Sequence, residues 1–158
     1  FTYYGEEIGM AGSGVDPNKR LGMDWGDGNV TDLPPGVTAV EYPFPGVSEQ
    51  EADPASLLNY VRMLNHQKRT MPAIALGKTE FGPVTGDTCV LIRRFEGDMI
   101  HIAVNFSSKE AREVSIPGRF RLLDTLDTGD VPSSAEAGGV DTLVTLQPYG
   151  IVYLGEGE

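Results

Sequence analysis

Val90-Leu-Ile-Arg-Arg-Phe-Glu-Gly-Asp-Met-Ile-His-Ile-Ala-Val-Asn-Phe106 is the stretch on which the fold turns. Two runs rich in β-branched and aromatic residues, Val90 to Phe95 and Met99 to Phe106, flank Glu96-Gly97-Asp98, residue types that reverse a chain cheaply. The spacing predicts a β-hairpin. Beyond it, strands are expected at Glu113 to Ile116, Phe120 to Leu123, Thr142 to Leu146 and Ile151 to Leu154. Roughly six or seven short strands at this spacing predict an antiparallel β-sandwich. Asp127 to Gly139 is rich in Gly, Ser and Ala and is expected to be an exposed loop.

Upstream the texture changes. Asp53 is a candidate N-cap with Pro54 at the first helical position, and Leu57, Leu58, Val61 and Leu64 recur at helical spacing, so a helix is expected over 53–70, ending before Pro72. Residues 11–52 carry Gly12, Gly14, Pro17, Gly26, Gly28, Pro34, Pro35, Pro43 and Pro45, which break every periodicity and predict a long irregular loop of functional type. Residues 1–10 form a β-prone aromatic run and are expected to be a strand. The expected division is a region over 1–71 and a sandwich domain over 72–158.

Composition narrows the partners. A net charge of −11, with twelve Lys and Arg that form no run, repels a phosphate backbone and argues against nucleic acid. No stretch approaches the ~20 apolar residues that cross a bilayer, so no membrane partner is expected. The single cysteine, Cys89, excludes an internal disulfide, and in Thr-Cys-Val-Leu-Ile it is expected to be a small buried hydrophobe.

Few residues offer themselves for chemistry. Glu6 and Glu7 are adjacent, and in a strand neighbours point to opposite faces, so they cannot converge on one bond as a catalytic pair. Either could face a ligand. Arg20-Leu-Gly-Met23-Asp24-Trp25 places a guanidinium near the only tryptophan, a combination able to hold a sugar; the simpler use of Trp25 is to anchor the loop to a core. Asp24, Asp27 and Asp32 lack the alternation of a calcium loop, and no metal or cofactor is implied. His66 and His101 support no Ser-His-Asp arrangement. Asn29-Val-Thr31 and Asn105-Phe-Ser107 match the glycosylation triplet and carry no weight without a secretory context.

Tyr3-Tyr4-Gly5-Glu6-Glu7-Ile8-Gly9-Met10 resembles the eighth barrel strand and following turn of the α-amylase superfamily, glycoside hydrolase family 13. Arg20, Met23 and Trp25 fall where oligo-1,6-glucosidases, trehalose synthases and related α-glucosidases carry Arg-Thr-Pro-Met-Gln-Trp. The stretch from Ser56-Leu-Leu-Asn-Tyr-Val-Arg62 to Met71-Pro-Ala-Ile-Ala-Leu-Gly77 resembles the last barrel helix, and the remainder the family's C-terminal sandwich. Leu21 and Gly22 replace Thr-Pro, Asp24 replaces Gln and Gly26 replaces Asp.

The resemblance implies a fold that is mainly β, an antiparallel sandwich preceded by the last strand, long loop and last helix of a truncated (β/α)8 barrel. It implies a parent that is a retaining α-glycosidase, partnered by an upstream barrel of the same chain and by α-linked oligosaccharide. The family's nucleophile, acid/base and second aspartate would lie before Phe1, so no catalytic residue is expected within the chain, and the chain alone is expected to be inert. Arg20 is implied to recognise the non-reducing glucose and Trp25 to support the loop or pocket wall, with Tyr4, Glu6 and Glu7 at the pocket edge. Without the barrel, residues 1–52 are expected to be disordered or held by improvised contacts. Localisation is left open, since any leader would lie upstream. The alternative is a carbohydrate-binding sandwich using Phe120, Tyr149 or Tyr153.

Overall fold

The hairpin forms, and its turn shows why. Glu96 and Gly97 both take positive φ, 49° and 96°, the backbone sign that a type I′ turn needs to match the twist of its strands. The computed structural model describes residues 2–127 and 132–156. The chain divides into two compact units, Phe1–Gln67 and Lys68–Glu158.

The second unit is built on eight strands: β1 Lys78–Thr85, β2 Thr88–Phe95, β3 Asp98–Asn105, β4 Arg112–Pro117, β5 Phe120–Leu126, β6 Ser134–Gly138, β7 Asp141–Leu146 and β8 Ile151–Glu156. They form a five-stranded sheet in the order β1-β2-β3-β8-β5 and a three-stranded sheet in the order β4-β7-β6. Every pairing is antiparallel. Val90, Ala103, Val152 and Leu154 from the larger sheet and Val114, Ile116, Val144 and Leu146 from the smaller form one buried cluster. Alternation produces it: in β4, Val114 and Ile116 are buried while Glu113 and Ser115 are exposed. The fold is the antiparallel sandwich expected.

Two strands go beyond that expectation. β1 contains Gly82 and Pro83, which argue against a strand, but it lies at a sheet edge where a missing N–H is tolerated, and its register shifts between Phe81 and Val84. β6, Ser134–Gly138, falls inside the stretch expected to be loop; it pairs only with β7 and lays Ala135 against the core. The rest of that loop includes residues 128–131, which lie outside the described residues. A buried amide organises the crossing between sheets: Asn105 donates from Nδ2 to the carbonyls of Glu110 (2.8 Å) and Gln147 (3.0 Å) and accepts from Ser107 N–H (2.9 Å). With its side chain 1% exposed, Asn105 is unavailable as a glycosylation acceptor.

In the first unit the strand expected over 1–10 is not found among the described residues 2–10. Glu6–Ile8 is a single 3-10 turn bracketed by Gly5 and Gly9, both left-handed, at φ 84° and 76°. Two left-handed residues four apart reverse the chain where a strand would extend it. Gly9 also leaves no room for a side chain, since a Cβ there would lie 2.3 Å from the Phe44 ring.

The helix boundaries shift as well. A short helix, α1 Val47–Ala52, ends at Asp53, whose N–H donates to the Gln50 carbonyl; Asp53 therefore closes one helix and cannot cap the next. Its carboxylate accepts from Ala55 N–H at 2.9 Å, and Pro54 sits in that turn. The long helix, α2 Leu57–Thr70, starts at Ser56, whose hydroxyl accepts from Asn59 N–H at 3.2 Å in the manner of an N-cap. It ends before Pro72, which opens a further short helix, α3 Pro72–Leu76. Arg93 of β2 holds α3, donating to the carbonyls of Ala73 (3.1 Å) and Ile74 (2.8 Å).

Candidate substrate-binding loop

The loop of the first unit is organised by two buried amides. Asn18, 5% exposed, donates to Ser13 O (3.2 Å) and accepts from the N–H groups of Thr38 (2.8 Å) and Ala39 (3.3 Å). Gln50, 3% exposed, donates to Ile8 O (2.9 Å) and Pro45 O (2.8 Å) and accepts from Leu58 N–H (3.1 Å). One side chain thus binds the turn carrying Glu6 and Glu7 to the loop's return and to the start of α2. The segment expected to be disordered or improvised is held by specific, buried hydrogen bonds, each costly to leave unmade.

These bonds position the residues singled out in the sequence. Tyr4 donates its hydroxyl to the Leu21 carbonyl at 3.0 Å, next to Arg20 in the chain. Tyr42 does the same to the Gly22 carbonyl at 3.0 Å. Partial burial, then the Asp24 carboxylate and Tyr4, push the Tyr42 phenol above its ordinary range. Tyr4, Tyr42, Asp24 and the 20–22 backbone therefore share one neighbourhood. Tyr42 was not apparent from sequence, where it reads as one more residue of a proline-rich loop.

Trp25 is no buried anchor. It is 49% exposed, and its indole N–H donates to Thr31 Oγ1 at 3.0 Å. A bridge between Asp24 and Val30 and a tight turn over Gly26–Asn29 hold it in place. Asp24 accepts from Gly26 N–H at 2.9 Å, so one member of the aspartate trio serves the turn. Glu49 braces the same turn by accepting from Asp27 N–H at 3.5 Å, accepts also from Ser48 Oγ at 3.1 Å, and hydrogen bonds, first from its own backbone N–H, hold its carboxyl below the usual range.

Arg20 pairs with Asp16, both well exposed, and keeps further N–H donors free in principle for a ligand. Glu6 accepts from Tyr3 N–H at 3.0 Å and so stabilises its own turn. The opposite-face argument for Glu6 and Glu7 falls with the strand. Among the described residues no ion pair joins either carboxylate to Arg20. Neither is any group of three metal-capable side chains present among them.

The sandwich offers less to a sugar. Phe120 stacks on His101 with ring centroids 4.2 Å apart, Tyr153 is buried, and Tyr149 alone of the three aromatics is open, in a left-handed turn at φ 55°. Cys89 is half-buried rather than fully enclosed. No helix among the described residues is long and apolar enough to cross a membrane.

Residues 82–153 match the family model DUF3459, a domain of unknown function. Over 80 residues, 49% of this chain, the sequence is 38% identical to the α-amylase SusG of Bacteroides thetaiotaomicron, covering 12% of that protein. The fold matches Amy13B of Eubacterium rectale with a TM-score of 0.82 and 25% identity, over 99% of this chain and 31% of that one. The sandwich is of the α-amylase C-terminal-domain type.

Two further structures share the fold alone. An α-amylase from H. orenii matches with a TM-score of 0.79 at 23% identity, over 98% of this chain and 32% of that one. The trehalulose synthase MutB of Pseudomonas mesoacidophila matches with a TM-score of 0.65 at 22% identity, over 87% of this chain and 25% of that one. The chain thus spans about an eighth of the curated relative it matches and about a third of Amy13B and of the H. orenii α-amylase.

Proposed function

We propose that the chain is the C-terminal part of an α-glucan- or α-glucoside-processing glycoside hydrolase. The sandwich stabilises a catalytic barrel, and the loop of the first unit contributes to the edge of its pocket. The observation that carries this reading is that the likeness to Amy13B runs through 99% of the chain, loop unit included, rather than through the sandwich alone. Residues 1–71 are then the last part of that barrel. Arg20 recognises the non-reducing glucose through charge-assisted hydrogen bonds, Trp25 forms loop support or pocket wall, and Tyr4, Glu6 and Glu7 border the pocket. The chemistry is a retaining displacement through a glycosyl-enzyme intermediate, carried by carboxylates outside this chain.

The test compares the protein encoded by the whole reading frame with the 158-residue chain. Maltooligosaccharides or an α-glucoside should be cleaved by the former and left intact by the latter. In the whole protein, Arg20→Ala should lower kcat/KM about ten- to a hundredfold, the loss expected for hydrogen bonds from a charged group. Lys109→Ala, on the sandwich surface, should leave it unchanged. Turnover by the isolated chain, or an Arg20→Ala enzyme of unaltered kcat/KM, defeats the proposal. Saturable NMR shifts confined to Tyr149 and its strand neighbours on adding maltooligosaccharide would favour the binding-module alternative.

A further inference from the structure

His101 occupies a place in the sandwich where a charge has no counterpart. On β3 it pairs with Ile92 and Leu154, while Ala103, two residues on, pairs with Val90 and Val152. Residues two apart in a strand share a face, so His101 lies on the face that forms the core. It is 5% exposed, and its Nδ1 is buried with no hydrogen-bond partner among the described residues. The ring packs against Phe120 at a tilt of 49°.

A neutral imidazole needs only one donor N–H, and the other nitrogen can remain a bare lone pair at modest cost. A protonated imidazole carries a donor on both nitrogens. Protonation would then place an unanswered N–H and a positive charge against Phe120 and the aliphatic cluster. Two charged groups act on the ring: Arg94 of β2, which repels the cation and is itself paired to Glu80 of β1 at 3.2 Å, and Glu156 of β8, which attracts it.

We propose that His101 is an acid-sensitive latch of the sandwich, closing one end of the core as a neutral ring and loosening the packing on Phe120 when it takes up a proton. Burial first, and Arg94 second, hold the imidazole below the usual histidine range, with Glu156 opposing. The sign follows from linkage. The unfolded chain, with a histidine near about 6.5, binds the proton before the folded one does, so the latch contributes fully above that pH. Its contribution falls as pH drops toward the lower folded value, by up to about tenfold in the folded-to-unfolded ratio per pH unit. This inference is independent of the proposed function.

The experiment uses the whole 158-residue chain. Histidine Cε1 NMR resonances are followed through pH, with His66→Gln telling the two apart; the His101 midpoint should lie below that of histidine in the urea-unfolded chain. Unfolding is then compared at pH 7.5 and 5.0, above the carboxylate range, for the wild type, His101→Gln and His101→Leu. The wild type should lose stability below about pH 6.5, by at most about tenfold in its folded-to-unfolded ratio per pH unit, and the variants should escape most of that loss. A midpoint at or above the unfolded value overturns the proposal, as does a variant whose loss equals the wild type's. Should neither variant fold, the midpoint alone decides.

Discussion

A single carbonyl shows how tightly the candidate loop is specified. A Cβ at Gly12 would sit 1.8 Å from Asn18 O, and the contact is with backbone, which cannot swing aside. Gly12→Ala must therefore push apart the turn that Asn18 closes, and overpacking of this kind costs about 1–3 kcal/mol. Asn18→Ala should cost a similar amount by a different route, leaving the N–H groups of Thr38 and Ala39 without their acceptor. Both effects are measurable as a loss of hydrogen-exchange protection at Thr38 and Ala39. Gly28→Ala is the control: a Cβ there meets nothing within 4 Å, although its φ of 76° still carries the left-handed penalty, so only a smaller, local loss is expected. None of this was visible in the sequence, where Asn18 is one polar residue among many; its role depends on partners at Ser13 and Thr38 that no spacing rule connects.

At the scale of the element, legibility follows how local the determining physics is. The β2–β3 hairpin was readable because alternating apolar residues and a Glu-Gly turn lie within one short window. The same turn makes a prediction. Glu96 holds a left-handed φ that asparagine adopts more readily, so Glu96→Asn should stabilise the sandwich by about 0.5 kcal/mol, whereas Gly97→Ala should destabilise it by about 1 kcal/mol. Chemical denaturation of the two variants reads both signs, and a gain for Gly97→Ala would contradict the turn type. β1 and β6 were hidden because their strand character comes from neighbours: β1 is stabilised by pairing with β2 despite Pro83, and β6 by pairing with β7 despite Ser-Ala-Glu-Ala-Gly. Asp53 misled for the opposite reason. Its local signal was genuine, an Asx turn onto Ala55, but the preceding helix α1 claimed it as an end rather than a beginning.

At the scale of the molecule, two compact units divide the work. Leu146, wholly buried, belongs to the sandwich cluster, and Leu21, 1% exposed, lies in the loop unit, where its own carbonyl accepts from Tyr4 and that of the next residue, Gly22, accepts from Tyr42. Truncating either buried leucine to alanine removes contacts worth about 2–5 kcal/mol. Because the loop unit is tied together by Asn18 and Gln50, whose hydrogen-bond partners among the described residues all lie before residue 68, the damage should stay in the unit where it is made. Leu21→Ala is expected to release the amides of Thr38, Ala39 and Leu58 while leaving β3 and β8 protected; Leu146→Ala should do the reverse. Hydrogen exchange resolved by residue makes the comparison within one sample. If Leu146→Ala instead exposes Thr38 and Leu58 as fully as its own strands, the chain unfolds as one cooperative body. The sandwich would then be a condition for the loop's order, and an acid-sensitive His101 would reach the candidate pocket edge through global stability alone.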